Sequence, residues 1–434
     1  MKQSFFKRLT SAAALAAAIC AATSPAGAED KAVTLKEIMA MARESNGDLR
    51  ALRQEKEIGK AGKIRAGLYA NPVLEMEGST GALTGSPSED RVSIGLSQEF
   101  ATGGKREKRV AVAETELARF GNRIRDAERL LLLEVKTGFY DLLLAQKRLD
   151  LAHKAHELNS QLLQISQERF AAGDVAELDA NLAGVETARS ETRTSEAERE
   201  IISARQHLLT LMGAPLSADL KVAGPPETRP LSPSLAELKA LAQNNRPDIR
   251  AAESEKNKGE AELTLAEAER LPNVTAGIEF SREATLTSLG GLEEKSTDYL
   301  VGLKLSIPLP FFDRNQAGIV EAKARKSSAE TRLAFALQGI EREVEAAYAR
   351  LAAAKKSLDI YDTRIIPQLT ENLKVVQEAY RLGEVGILSV LEEQKKFIEV
   401  NNSYLMAFHD LGTAIAKLEA AVGVELKKDN GGTK

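Results

Sequence analysis

Apolar positions along this chain follow two periods, one helical and one strict alternation, and stretches of each take turns. From Lys105 to Ala171 there is no proline, and only Gly121 and Gly138 interrupt. Apolar residues recur there at helical spacing, as at Leu130, Leu133, Leu142 and Leu149. About 67 residues at 1.5 Å rise make a rod of roughly 100 Å, which suits a coiled coil better than a globular helix. The pattern returns from Gln316 to Leu382, with Pro367 expected to bend the rod. Each rod meets a glycine, Gly173 or Gly383, where it is expected to reverse into a second helix, about 178–212 and 388–422.

The second period is two. Val92, Ile94, Leu96 and Phe100 alternate with Ser93, Gly95, Ser97 and Glu99. Val274, Ala276, Ile278 and Phe280 alternate with Thr275, Gly277, Glu279 and Ser281, and Tyr299, Val301, Leu303, Leu305 and Ile307 do the same further on. With Leu74 and Met76 against Glu75 and Glu77, these predict four strands, about 72–80, 91–100, 273–282 and 298–307. They form two hairpins whose polar loops are expected at about 80–90 and 284–297. One such strand reads equally well as a soluble sheet with a wet face. Four of them in two hairpins read as the lipid-facing pattern of a membrane β-barrel.

The same landmarks come twice. Asn46-Gly47-Asp48-Leu49-Arg50-Ala51 returns as Arg246-Pro247-Asp248-Ile249-Arg250-Ala251, and Arg169 to Val175 returns as Ala379 to Val385. Tyr140 in the first rod is matched by Tyr348 in the second. The copies are expected at 29–223 and 234–424, joined at 224–233, where Pro225, Pro226, Pro230 and Pro233 exclude both helix and central strand. Residues 425–434 are expected to be a flexible tail.

The N-terminus reads as an export signal over residues 1–28. Lys2, Lys7 and Arg8 precede an Ala-rich apolar stretch, and Ala26-Gly27-Ala28 fits the cleavage pattern. The apolar stretch is shorter than the ~20 residues a membrane helix needs, and no later run approaches that length. Cys20, the sole cysteine, follows Ile19 where a lipidation site wants a small residue, so the Ala28 site is preferred. Losing three cations with the leader takes the formal charge from −4 to −7, an acidic balance that argues against nucleic acid as a partner. Aromatic residues are 4% and Trp is absent, so the large mixed core of a typical enzyme is not expected.

Open strand edges cannot face lipid, because unpaired backbone groups cost several kcal/mol each. Four strands cannot close a barrel alone. Two chains would give eight strands, whose interior is just filled by side chains, whereas three would give twelve and a passage. The expected fold class is therefore mainly α with a small β part: two tandem repeats of long coiled-coil helices plus a β-hairpin. As a homotrimer these are expected to share a 12-stranded membrane β-barrel, continued below the membrane by an α-helical barrel around the same axis.

The whole mature chain resembles the TolC-type outer-membrane factors. Gly103-Gly104-Lys105-Arg106 with Arg109, and Ile307-Pro308-Leu309-Pro310-Phe311-Phe312-Asp313-Arg314-Asn315-Gln316, are similar to its heavy-metal, CzcC-like branch of RND systems. The resemblance implies a passive exit duct in the outer membrane, docked to a periplasmic membrane-fusion adaptor and an inner-membrane RND transporter. Heavy-metal cations are the implied cargo; export of drugs or other small molecules is the alternative. It also implies adaptor-docking tips at Gly173, Asp174, Gly383 and Glu384. Two aspartates that line the family's periplasmic constriction correspond here to Ser389 and Glu392, so one carboxylate of that pair is missing. Glu177 and Asp179 occupy the equivalent stretch of the first copy, with Glu393 beside Glu392 in the second.

Some chemistry can be read without the family. Lys105, Arg106 and Arg109 open a rod just after a strand, and are expected as a collar near lipid headgroups or as a solvated helix start. The Pro308/Pro310 pair is expected to end the fourth strand, with Asp313 as a helix N-cap. No nucleophile motif, phosphate loop or HExxH helix occurs, and neither a cofactor nor a resident metal is expected. His153 and His156 can share a helix face but have no Cys nearby. Two rival readings stay open: a soluble periplasmic coiled-coil adaptor, with a single helical hairpin, and a structural coiled-coil protein of the envelope.

Overall fold

The computed structural model describes residues 32–224, 233–289 and 292–426. The expected leader with Cys20, nearly all of the Pro-rich joint and most of the C-terminal tail lie outside them. The first repeat runs α1 (Leu35–Ser45), α2 (Gly47–Gly67), β1 (Val73–Gly81), β2 (Ser86–Phe100), α3 (Lys105–Ala172) and α4 (Glu177–Met212). The second runs α5 (Leu235–Asn245), α6 (Pro247–Ala268), β3 (Val274–Leu289), β4 (Leu292–Ser306), α7 (Gln316–Ile360), a π-helical turn (Tyr361–Ile365), α8 (Ile366–Arg381) and α9 (Ile387–Val422).

The correspondence between repeats extends to their caps. Thr34 and Glu37 form a reciprocal capping box at α1, and Ser234 and Glu237 form its counterpart at α5. The paired sequence motif then docks on the end of its own returning helix. Asn46 Nδ2 donates to the Leu211 carbonyl at 2.9 Å, and Arg246 Nη1 donates to the Ala421 carbonyl at 3.2 Å. Burial opposes the Arg246 charge, but Asp248 and Glu343 hold its guanidinium above the ordinary arginine pKa.

Each repeat has its own core around these junctions. One gathers Ile38, Leu49, Val135, Phe139, Leu142 and Leu208; the other gathers Leu238, Ile249, Val344, Leu351, Leu411 and Leu418. Each fully buried aliphatic side chain contributes on the order of 1.5–3 kcal/mol. Phe408 packs against both clusters. Tyr140 of the first repeat lies so close to Gly412 of the second that a Cβ there would fall 2.5 Å from its ring.

Three expectations need correcting. Strand pairing reaches beyond the predicted limits: β2 starts at Ser86, and β3 pairs with β4 from Thr275↔Ser306 to Leu289↔Leu292. The polar residues expected in a loop at 284–297 therefore mostly belong to the ladder, because backbone bonds carry it and Thr suits the pleat. The second rod is not one helix. Pro367 has no N–H to donate to the preceding turn, and the π-turn at Tyr361–Ile365 absorbs the mismatch. Asp313 is not the N-cap of α7. That position belongs to Asn315 (φ 55°), whose amide donates to Asp313 Oδ1 at 2.8 Å.

Candidate functional site

The four strands form one antiparallel sheet in the order β1-β2-β3-β4. The register aligns Leu74, Leu96, Ile278 and Leu303 in one row and Met76, Ile94, Phe280 and Val301 in the next. All eight are exposed. On the other face the sheet is concave. Glu75 of β1 reaches Lys304 of β4 at 3.1 Å across the two strands between them, over Gly95 and Gly277. Ser93, Ser97 and Ser281 are buried within that concavity. A curved sheet with an apolar convex face and a charged concave face has the section of a barrel wall. The outer edges of β1 and β4 pair with no other strand among the described residues.

Where the sheet meets the helices, the two repeats are knotted together by polar side chains. Lys105 is only 7% exposed, and its ammonium donates to Asn273 Oδ1 at 2.5 Å. Asn273 Nδ2 in turn donates to Glu99. Burial lowers the Lys105 pKa. Arg106 donates to the Gly67 carbonyl at 2.7 Å and stacks 4.5 Å from the Tyr69 ring centre. Lys105 is thus turned into the protein, while Arg106 and Arg109 stay half-exposed at the boundary.

The far ends of α3 and α8 carry the two reversals. Gly173 (φ 83°) and Gly383 (φ 80°) sit in the left-handed region that a helix-ending reversal needs. Their bonds match: Asp174 N–H to the Arg169 carbonyl and Glu384 N–H to the Ala379 carbonyl, both 2.9 Å. Leu162, Ala183, Tyr380, Ile387 and Val390 form a small core that joins the two hairpins. Ser166 Oγ lies 2.9 Å from the Tyr380 hydroxyl, and Arg169 donates to the Tyr380 carbonyl at 2.8 Å.

The predicted docking and gate residues fall around this tip. Gly173, Asp174, Glu177, Gly383, Glu384, Ser389 and Glu392 are exposed, and Asp179 is half-buried. Ser389 and Glu392 lie one turn apart on one face of α9, whereas Glu393 turns inward to Lys396 at 3.2 Å. Sequence reading missed Ser166, Arg169 and Tyr380; Arg169 and Tyr380 stand in the repeated segment, but nothing in the repeat says that they meet. Exposed Leu178, Leu382 and Leu388 add an apolar fringe to the tip.

His156 contacts Ser190 Oγ at 3.0 Å, and His153 is exposed. Among the described residues no cluster of three or more His, Cys, Asp or Glu is placed to hold a metal ion. No helix among the described residues is long and apolar enough to cross a membrane.

Residues 39–214 and 238–424 match the outer membrane efflux protein family, and the chain belongs to it. It is an outer-membrane channel that extends into the periplasm, and not an enzyme. The cobalt-zinc-cadmium resistance protein CzcC of Cupriavidus metallidurans is 23% identical over 90% of this chain and 90% of its own length. The nickel-cobalt-cadmium resistance protein NccC of Alcaligenes xylosoxydans xylosoxydans is 27% identical over 58% of this chain and 54% of its own. The pyoverdine export outer membrane protein OpmQ of Pseudomonas aeruginosa is 23% identical over 80% of this chain and 71% of its own. In fold, the chain is similar to a crystal structure of the channel protein CusC, with a TM-score of 0.74 at 20% identity, covering 93% of this chain and 95% of that one.

Proposed function

We infer that three copies of this chain close a twelve-stranded barrel in the outer membrane and continue it as a helical duct through the periplasm. The observation that carries this is the four-stranded sheet: convex and apolar outside, charged inside, with two edges that pair with no strand among the described residues. Joining β4 of one copy to β1 of the next satisfies both edges and removes open backbone from lipid. The duct is the exit of a tripartite pump, fed by a periplasmic adaptor and an inner-membrane RND transporter.

The cargo is heavy-metal cations, a reading supported by the similarity to CzcC over nearly the whole of both chains. The conduit form also suits small organic cargo, and the likeness to OpmQ favours that second reading. Gly173, Asp174, Gly383 and Glu384 form the adaptor-docking tips. Three copies of Glu392, with Ser389 one turn before it, line the periplasmic gate, and Glu177 and Asp179 lie near it. Arg106 and Arg109 make up the accessible part of the lipid-boundary collar.

Three measurements test the proposal. The detergent-purified mature protein should have the mass of three copies and conduct ions in planar bilayers. A monomer, or a trimer without conductance, overturns the duct. Deleting the gene should sensitise cells to cobalt, zinc, cadmium or nickel. Normal metal tolerance combined with sensitivity to organic compounds would favour the second cargo.

A further inference from the structure

We propose that Phe311 and Phe312 form a fixed anchor in the interfacial region of the outer membrane's periplasmic leaflet, with phospholipid as the partner. The inference rests on the barrel reading above and adds where the bilayer ends on the helical side.

The segment after β4 is not a loose connection. Its backbone is held at almost every step. The Phe311 amide donates to the Leu309 carbonyl at 2.9 Å, and Gln316 Nε2 donates to the Phe312 carbonyl at 2.9 Å. Arg314 Nε donates to the Pro310 carbonyl at 3.2 Å. Asn315 Nδ2 fastens the end of the segment to the Ala266 carbonyl of α6 at 2.9 Å. Pro308 and Pro310 further restrict the backbone.

This pinned segment holds its two largest apolar side chains outward. Phe311 is 70% exposed and Phe312 94%. An aqueous setting gives no reason to hold two neighbouring phenyl rings out of the protein. A bilayer interface does, because aromatic rings gather where the hydrocarbon meets the headgroups.

Three features favour lipid over a second copy of the chain as the occupant. Val301, Leu303 and Leu305 lie on the convex face of β4, and exposed Ile307 follows the strand into the segment, so the exposed apolar surface is continuous. Asp313, Arg314, Asn315 and Gln316 follow at once, which marks a change to a wet environment within a few residues. At the other end of the same strand face, Tyr299 stacks on Phe280 with ring centres 6.2 Å apart, so aromatic residues rim the apolar band at both ends.

The absence of tryptophan makes the depth measurable, since one introduced indole is the only one in the chain. Phe312→Trp and, separately, Leu303→Trp at the middle of the band would be reconstituted as full-length mature protein in phosphatidylcholine vesicles. The acyl chains would carry bromines at either a shallow or a deep position. The anchor requires Phe312→Trp emission to be lost chiefly to shallow bromines and Leu303→Trp emission chiefly to deep ones. Quenching at Leu303→Trp with none at Phe312→Trp overturns the anchor but leaves the barrel; blue-shifted emission would then put the ring against a second copy, red-shifted emission in water. Quenching at neither position overturns the barrel reading itself, and the anchor with it.

Discussion

The guanidinium of Arg169 lies 4.9 Å from the centre of the Tyr380 ring and also donates to the Tyr380 carbonyl at 2.8 Å, tying the tip of the first repeat to that of the second. The two residues are 211 apart in sequence. This tie is a restraint between two hairpins that must separate if the duct widens at its periplasmic end. Arg169→Ala removes the stacked cation and the bond together, worth about 1–3 kcal/mol at a partly buried site. We expect a higher open probability in single-channel recordings, with trimer mass unchanged. Unaltered gating would show that the tie does not hold the tip closed.

The reversal at Gly383 has φ of 80°, and a Cβ there would lie 3.3 Å from Arg169 Nη2. Gly383→Val should cost roughly 1–3 kcal/mol at the turn, since branched residues resist the left-handed region. The long helices and the sheet lie elsewhere, so assembly should persist while resistance is abolished. Normal export by such a variant would remove the turn from adaptor docking. Gly173→Val is expected to behave in the same way.

Glu392→Ala should weaken cation preference or change open probability in the purified trimer. Three carboxylates converging on one axis attract cations and repel one another. An unchanged reversal potential under a KCl gradient, with unchanged gating, would place Glu392 outside the gate.

Lys136 and Glu419 form a buried ion pair of 2.6 Å between α3 and α9, where the two repeats meet. Lys136→Met removes the Lys136 side of this buried pair, while Glu419 keeps the Leu426 amide, and should destabilise by up to about 3–5 kcal/mol. Thermal unfolding in detergent reports this, and adding Glu419→Gln should recover part of the loss. A single variant as stable as the wild type would show that the pair contributes little.

His409 Nε2 sits 2.7 Å from Asp141 Oδ1, and this contact raises the histidine pKa above its ordinary value. A raised folded-state pKa stabilises fully below the unfolded value, and the gain fades as pH rises through the folded one. The melting difference between wild type and His409→Gln should therefore be larger at about pH 5.5 than at about pH 8.5. A constant difference would mean that the interaction does not involve the charged imidazole.

Much of this architecture was legible in the chain because its signals are local and periodic. The returning helices, α4 (Glu177–Met212) and α9 (Ile387–Val422), each begin four residues after a glycine, Gly173 or Gly383, whose left-handed conformation no other residue supplies as cheaply. The strand faces were also readable, because alternation fixes which side chains share a face before any partner is known. Strand lengths were not, because the Thr- and Ser-containing ends of β3 and β4 carry no apolar signal, and only pairing makes them strands. The break at Tyr361–Ile365 depends on how a helix accommodates Pro367, and bending or widening are both open to it until neighbours choose.

The division for the functional ends follows the same physics. By itself, the sequence determined two repeats, four alternating strands, two glycine reversals and the acidic residues that follow them, since each depends on neighbours a few residues apart. The tertiary structure decided what meets across the repeats: Tyr380 beside Arg169 and Ser166, Glu75 reaching Lys304, and Lys105 drawn from an expected headgroup collar into a bond with Asn273. Those contacts join residues more than a hundred and fifty positions apart. No periodicity encodes such pairs, because they arise only when packed helices and a curved sheet bring separate surfaces together.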